Sequence, residues 1–208
     1  MPTIFCYGRL LYFAIIIYAM AKTVFIIHGW SGYPEEGWYP WLKKELEQRK
    51  LRVEIPSMPG TDNPEIKAWV SFLKKTIKNP DKETYLVGHS IGCQAILRYL
   101  QETKVKIGGA VFVAGWLTLK GLETDEVREI AKPWLETPID FGKARKCLEK
   151  FTAIFSDNDP FVPLENTNLF REKLGAKIII EKQKGHFTES DNVKELPSVL
   201  NELLEMMK

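Results

Sequence analysis

Residues 84–101 read TYLVGHSIGCQAILRYLQ, with the pentapeptide GHSIG at residues 88–92 in their middle. The apolar run before the pentapeptide predicts a buried strand over Thr84–Gly88, and the residues after it predict a helix over Ile91–Gln101. Glycines on both sides of Ser90 suit a sharp, strained strand-to-helix turn, because a side chain at either place would collide with neighbouring backbone. The stretch predicts Ser90 as an exposed nucleophile before a helix N-terminus. A glycine-rich turn with an incidental serine is the alternative.

The rest of the chain alternates short apolar runs with segments of helical period. Five further strands are predicted, at Thr23–Ile27, Arg52–Ile55, Gly108–Ala114, Phe151–Phe155 and Lys177–Ile180. Further helices are predicted at residues 38–50, 63–77, 164–174 and 196–207, the second beginning at Asn63-Pro64. Such alternation predicts an α/β fold: a three-layer sandwich around a six-stranded, mostly parallel sheet. Residues 116–141 have no clean period and contain Pro133 and Pro138, so we expect a short lid-like insertion there.

The composition is that of a globular protein. Of the 208 residues, 45% are hydrophobic and 27% charged, and the net charge is +2, which excludes a disordered tail, a collagen-like chain and a multi-span membrane protein. Because no run of Lys or Arg forms a basic stripe, nucleic acid is not an expected partner. The three cysteines, Cys6, Cys93 and Cys147, are odd in number and widely spaced. They predict reduced structural thiols rather than a disulfide framework or a metal site, and no cofactor is expected.

The first 21 residues differ from the others. The apolar run Leu10–Ala21 is shorter than the roughly 20 residues of a spanning helix, so no stable membrane insertion is expected. One interpretation is a hydrophobic extension, or a misassigned start, before Met20. The other is a signal-like segment, because Ala19-Met20-Ala21 fits an A-x-A cleavage site. We expect residues 22–208 to form a single domain in the cytoplasm, with export as the alternative.

The chain offers three histidines as the base that a serine nucleophile needs. His89 adjoins Ser90, so its side chain must leave the tight turn in another direction. His28 ends the first predicted strand and belongs to the loop beside the site. His186 follows the last predicted strand, in a loop that can lean over the sheet edge, and it gives the chain order serine, acid, histidine. We therefore predict His186 as the base.

The acid that orients the imidazole should follow a strand between Ser90 and His186. The segment SDNDPFVP at residues 156–163 follows the fifth predicted strand and offers both Asp157 and Asp159. Spacing alone does not separate these two carboxylates. A calcium-binding loop is a poor alternative, because Phe161 stands where the next oxygen ligand belongs and no glycine follows.

These stretches together resemble the α/β-hydrolase superfamily, and within it the retinoblastoma-binding protein 9 / YdeN-like serine hydrolases. The resemblance extends from about Thr23 to the C-terminus. Its motifs are FIIHGW at 25–30, WYPWLKKEL at 38–46, GHSIG at 88–92, KPW at 132–134, DPFVP at 159–163 and GHF at 185–187. The resemblance implies a compact α/β-hydrolase fold with six parallel strands.

The resemblance also implies roles for particular residues. The acid is the aspartate directly before the proline, which is Asp159, with Asp157 as the fallback. The oxyanion hole is formed by the backbone N–H groups of Ile91 and Trp30, with Gly29 letting the backbone approach. The family's pocket-protein partner is not expected here, because its Leu-x-Cys-x-Glu motif is absent and RKCLE at residues 145–149 has arginine in place of the leucine.

The predicted function is that of a serine hydrolase acting on small acyl substrates, carboxylesterase-like, through an acyl-enzyme intermediate. Gly29, Trp116, Trp134 and Phe187 are expected to border the substrate pocket, with core packing as the alternative for the aromatic residues. A thioesterase or an amidase/aminopeptidase would use the same triad. A non-catalytic interaction module on a hydrolase scaffold is the third reading. The expected partner is a small-molecule acyl substrate, and the sequence does not predict the oligomeric state.

Overall fold

A six-stranded sheet forms the centre of the computed structural model, which describes residues 22–208. The expected extension at residues 1–21, including Cys6, lies outside the described residues. Every neighbouring pair of strands is parallel, in the order β2-β1-β3-β4-β5-β6. The strands are β1 (Thr23–Ile27), β2 (Arg52–Glu54), β3 (Thr84–His89), β4 (Gly109–Val113), β5 (Phe151–Ser156) and β6 (Lys177–Glu181). The predicted α/β fold class is confirmed, and each predicted strand is correct to within one residue at either end.

Helices cover the sheet. Within residues 22–208 they are α1 (Tyr39–Glu47), α2 (Ile66–Thr76), α3 (Ile91–Glu102), α4 (Asp125–Glu136), α5 (Phe141–Cys147), α6 (Glu165–Leu174) and α7 (Pro197–Met206). Asn63-Pro64 does not begin α2, because the Asn63 N–H donates to the Gly60 carbonyl in a preceding turn. Helices α4 and α5 were not predicted. They fall in and just after the segment that we expected to be irregular.

The strand register shows that the helices lie on both faces of the sheet. A Cβ at Gly88 would meet Cys93 of α3, and Phe112, the register partner of Gly88, contacts Phe170 of α6. A Cβ at Gly109, on the opposite face, would meet Met206 of α7. The three-layer sandwich is therefore confirmed.

Parallel strands bring their carboxyl ends to one edge of the sheet, where ligands bind in open α/β folds. The loops after β1, β3, β4, β5 and β6 therefore converge, although they are far apart in the sequence. Strand β3 lies inside the sheet between β1 and β4, and all six of its residues are buried. No helix within residues 22–208 has the length and apolar character needed to cross a membrane.

Candidate active site

Ser90 occupies a strained turn between β3 and α3. Its φ of 52° and ψ of −121° lie in a region that residues other than glycine rarely adopt. The turn fits only because its flanking positions have no side chains. A Cβ at Gly88 would lie 2.9 Å from the Cys93 nitrogen, and a Cβ at Gly92 would overlap the Ile27 carbonyl oxygen. The predicted reason for the two glycines, close approach of backbone, is therefore the one that the structure gives.

The structure brings the hydroxyl, imidazole and carboxylate predicted from the sequence into one hydrogen-bonded row. Ser90 Oγ lies 2.9 Å from His186 Nε2, and His186 Nδ1 lies 2.8 Å from Asp159 Oδ2. Because a carboxylate only accepts hydrogen bonds, the Nδ1–H donates to Asp159 and Nε2 is left to accept the serine proton. This is the tautomer that a general base beside a serine requires.

Asp159 is held by its own loop and is only 4% exposed. Its second oxygen, Oδ1, accepts hydrogen bonds from the backbone N–H groups of Phe161 (2.8 Å) and Val162 (2.9 Å). Asp157 points elsewhere and accepts from the Gln183 N–H at 2.8 Å. The choice that spacing left open therefore has a geometric answer, because only Asp159 contacts His186.

The loop that carries His186 is fixed through its backbone. Three consecutive N–H groups donate to side-chain oxygens: Lys184 to Ser156 Oγ (3.0 Å), Gly185 to Asn158 Oδ1 (2.8 Å) and His186 to Asp191 Oδ2 (2.9 Å). The Trp38 indole N–H donates to the carbonyl of the following residue, Phe187, at 3.1 Å. The loop therefore holds His186 in place beside Ser90.

The other two histidines are buried and hydrogen-bonded elsewhere. His28 Nε2 accepts from the Met58 N–H at 3.0 Å, and its Nδ1–H donates to the Gly29 carbonyl at 3.0 Å. Burial lowers the pKa of His28. Burial, together with the neighbouring His186, lowers the pKa of His89 to about 3. Both rings are therefore neutral near pH 7, and neither contacts the Ser90 hydroxyl.

A cavity of about 500 Å³ opens over Ser90. Gly29, Trp30, Ile91 and Trp116 line it beside the nucleophile. Much of the remaining apolar lining comes from the segment that we call the lid, residues 116–141. The apolar side chains that sequence reasoning missed are Leu119, Leu122, Val127 and Ile130 from the lid, with Phe161 from the acid loop.

Two residues predicted to border the pocket do not line it, and those two expectations were wrong. Trp134 is 1% exposed, donates its indole N–H to the Pro64 carbonyl at 2.8 Å, and packs edge-on against Trp69. Phe187 is also 1% exposed and belongs to the hydrophobic core. Both residues pack in the core, which was the alternative prediction. Trp134 attaches the lid to α2 and the residues before it, and Phe187 attaches the loop of His186 to the hydrophobic core.

Helix α4 of the lid had sequence signals that could have revealed it. Thr124 caps the helix by accepting from the Val127 N–H at 3.2 Å, and two acidic residues follow it in the first turn. The apolar positions 127, 130, 131 and 134 have helical spacing. Pro133 hid this pattern, because a proline inside a helix removes one hydrogen bond.

Buried polar side chains of α3 hold both ends of the lid. Gln94 Nε2 donates to the Trp116 carbonyl at 2.7 Å. Arg98 donates to the carbonyls of Trp134 (2.8 Å) and Thr137 (2.9 Å) at the end of α4, and burial lowers its pKa to about 10. The helix that begins at the nucleophile therefore also carries the lid.

Comparison with known proteins identifies one family. A family model described as serine hydrolase matches residues 24–205. The chain is 30% identical over 186 residues to the hydrolase YdeN of Bacillus subtilis strain 168, covering 88% of this chain and 95% of that protein. Serine hydrolase RBBP9 of Rattus norvegicus is 25% identical over 165 residues, covering 79% of this chain and 85% of that protein.

Solved structures agree with the fold. The crystal structure of the ydeN gene product from B. subtilis matches with a TM-score of 0.83 at 28% identity, covering 90% of this chain and 99% of that chain. Est1E from Butyrivibrio proteoclasticus matches with a TM-score of 0.67 at 17% identity, covering 90% of this chain and 88% of that chain. The second likeness is one of fold alone.

Proposed function

The chain belongs to the serine hydrolase family, and on that premise we propose that it hydrolyses small, uncharged carboxylic esters with Ser90, His186 and Asp159 as its catalytic triad. The observation that carries this proposal is the hydrogen-bonded row from Ser90 Oγ through His186 to Asp159, with distances of 2.9 and 2.8 Å. Ser90 and His186 of this row line the apolar cavity. A carbonyl group entering that cavity would meet the serine hydroxyl.

The mechanism is two-step acyl transfer. His186 Nε2 takes the Ser90 proton as the serine oxygen attacks the ester carbonyl carbon, and the carbonyl oxygen becomes an oxyanion. The protonated His186 then gives its proton to the leaving alkoxide as the C–O bond breaks, leaving an acyl-serine. Water, deprotonated by His186, then attacks the acyl-serine. The bond to Ser90 Oγ breaks as that oxygen takes the proton back from His186, and the carboxylic acid is released. Asp159 keeps the proton on Nδ1 and stabilises the imidazolium in both steps.

The oxyanion is stabilised by backbone N–H groups beside Ser90. Ile91 supplies one from the first turn of α3, where the helix dipole favours negative charge. Trp30 supplies the other from the loop after β1. The position of both residues on the cavity wall supports these roles. The small space at Gly29, where a Cβ would lie 3.5 Å from Ser90 Cβ, lets that loop approach the nucleophile.

The cavity wall favours an uncharged acyl group. Most of its lid side is aliphatic or aromatic, which suits short hydrocarbon chains. The ionisable side chains at its rim include the carboxylates Glu36, Asp62 and Glu126, and no Lys or Arg is among the described residues that line it. An anionic substrate would therefore be repelled. Thioesters and amides would form the same acyl-serine, so the leaving group is the part that experiment must decide.

Labelling with a fluorophosphonate, followed by a substrate panel, tests the proposal. We expect the wild-type protein to be labelled, Ser90→Ala to be unlabelled, and Ser71→Ala, which changes an exposed serine on α2, to be labelled normally. Ser90→Ala should lower turnover of p-nitrophenyl butyrate by roughly 10⁴–10⁶. A panel with one acyl group as ester, thioester and amide should give the highest kcat/KM for the ester. Labelling of Ser90→Ala, or its near-full activity, would overturn the assignment.

A further inference from the structure

We propose that Tyr39 and His89 are positioning residues, which align the base of the triad through a chain of buried hydrogen bonds. This inference rests on the proposed function, because it concerns how His186 is held against Ser90. The hydrogen bonds run from the first residue of α1, through the residue before the nucleophile, to the loop that carries the base. We call them the alignment chain, and its members are Tyr39, His89 and His186.

The contacts of the alignment chain are short and buried. Tyr39 Oη lies 2.7 Å from His89 Nδ1, and His89 Nε2 lies 2.7 Å from the carbonyl oxygen of His186. Tyr39 is 1% exposed and His89 is 3% exposed. The start of α1, the end of β3 and the loop after β6 are thus tied together away from water, where a hydrogen bond is strongest.

The donors and acceptors of the alignment chain can be arranged in only one order. The His186 carbonyl accepts, so the proton of His89 must be on Nε2. His89 Nδ1 is then an acceptor, and the Tyr39 hydroxyl must donate to it. Tyr39 therefore selects the His89 tautomer that can hold the base loop, and the neutral ring of His89 keeps positive charge away from His186.

The hydrogen bond from His89 to the His186 carbonyl can align His186 because His89 adjoins Ser90 in the sequence. His89 directly precedes Ser90, whose backbone is fixed by the strained turn. His186 is consequently tied to two adjacent residues of that turn, by its ring to the Ser90 hydroxyl and by its carbonyl to the His89 ring. Without the second link the base loop could shift while the fold persisted. A displacement of about 1 Å in a reacting group can cost roughly 10²-fold in rate.

Three variants test the alignment chain. Tyr39→Phe removes only the hydroxyl that selects the tautomer. His89→Asn removes the donor to the His186 carbonyl. His89→Gln keeps an amide N–H at the same number of bonds from Cβ as Nε2, and so serves as the conservative rescue. We expect kcat for p-nitrophenyl butyrate to fall about 10-fold in Tyr39→Phe and about 10- to 100-fold in His89→Asn. His89→Gln should stay within about 5-fold of wild type, and KM should change less than about twofold in all three variants.

The control separates alignment from a general loss of stability. Thr152→Val removes a half-buried hydrogen bond, from Thr152 Oγ1 to Glu202 Oε2, near the start of β5. Its kcat should equal that of the wild type even if its Tm falls as far as that of Tyr39→Phe. Turnover is expressed per site that reacts with the fluorophosphonate, so unfolded protein is not counted.

Two results would overturn the proposal. One is a kcat within twofold of wild type in both Tyr39→Phe and His89→Asn. The other is an equal loss in His89→Asn and His89→Gln, since that pattern would indicate packing rather than the donated hydrogen bond. If His89→Asn does not fold, Tyr39→Phe decides alone, with a kcat within twofold of wild type counting against the chain. Failure of the proposed function is distinguishable, because then Ser90→Ala would keep its activity.

Discussion

The turn at residues 88–92 and the lid at residues 116–141 border the same cavity, but they are held differently. The turn is held rigidly by its backbone. Close backbone contacts exclude side chains at Gly88 and Gly92, and the Ser90 N–H donates to the Val113 carbonyl at 2.9 Å. The lid is hydrogen-bonded near both ends to side chains of α3, and apolar side chains between those two places line the cavity. On the proposed function, the turn carries out the chemistry and the lid selects the acyl group.

The strongest test of this contrast changes a charge on the rigid side. Asp159→Asn should lower kcat by about 10⁴-fold, because an amide neither fixes the Nδ1–H tautomer nor stabilises the imidazolium. Steady-state kinetics with p-nitrophenyl butyrate measures the effect, with KM little changed. Asp157→Asn is the matched control and should stay within about twofold of wild type. A larger loss from the Asp157 variant would reverse the assignment of the acid.

A change at the lid's attachment should act on stability more than on chemistry. Arg98→Leu leaves the carbonyls at the end of α4 without their donor, so the free energy of unfolding should fall by about 2–4 kcal/mol. Urea unfolding measures this loss. Arg171→Leu, an exposed arginine on α6, should change the unfolding free energy by less than about 0.5 kcal/mol. Equal effects of the two variants would show that the lid does not depend on the hydrogen bonds from Arg98.

Because of His89, which lies in the turn at residues 88–92, the stability of the protein should fall in acid. The folded-state pKa of His89 is about 3, below its ordinary value of 6.5. Below pH 6.5 the unfolded chain therefore binds a proton that the folded protein excludes, and stability falls as the pH falls towards 3. The slope approaches about 1.4 kcal/mol per pH unit for one such group. Urea unfolding between pH 4 and pH 8 gives the free energy of unfolding at each pH. This free energy should change less with pH in His89→Gln than in the wild type. An identical pH dependence would contradict a neutral, buried His89.

The smallest effect is expected at the rim of the lid. Glu126 borders the cavity from α4, so Glu126→Gln should raise kcat/KM for an anionic ester, the mono-p-nitrophenyl ester of glutaric acid. The gain over neutral p-nitrophenyl pentanoate should be about twofold at low salt and vanish near 1 M salt, because exposed charges are screened. Glu129→Gln, on the same helix but outside the cavity lining, should leave the ratio unchanged. No change in the Glu126 variant would mean that rim charge does not select substrates.

How far the sequence alone could predict each region follows from what stabilises it. The turn at Ser90 depends on local sterics, so two glycines in a strand–helix context were enough to indicate it. The helix α4 also had local signals, which Pro133 obscured, but the partners that hold it in place, Arg98 and Trp69, are distant in the sequence. Its proline is tolerated because the carbonyl that loses a hydrogen bond belongs to Glu129, an exposed residue that water can reach.

The candidate site was only partly predictable for a related reason. The chain order of serine, acid and histidine indicated Ser90 and His186, but Asp157 and Asp159 became distinct only with the resemblance and then with the hydrogen bond to His186. Tyr39 could not be linked to His89 from the sequence. Fifty residues separate them, and the contact exists because the first residue of α1 lies beside the last residue of β3.

The backbone of Ser90 sets a limit on how this protein can adapt. A glycine at position 90 would adopt the same φ and ψ without backbone strain, but it would lack the hydroxyl that the proposed function requires. Selection for thermal robustness alone should drive that codon towards glycine, whereas selection that also demands turnover should never accept it. Directed evolution under the two regimes would thus separate at a single position, where durability and activity are mutually exclusive.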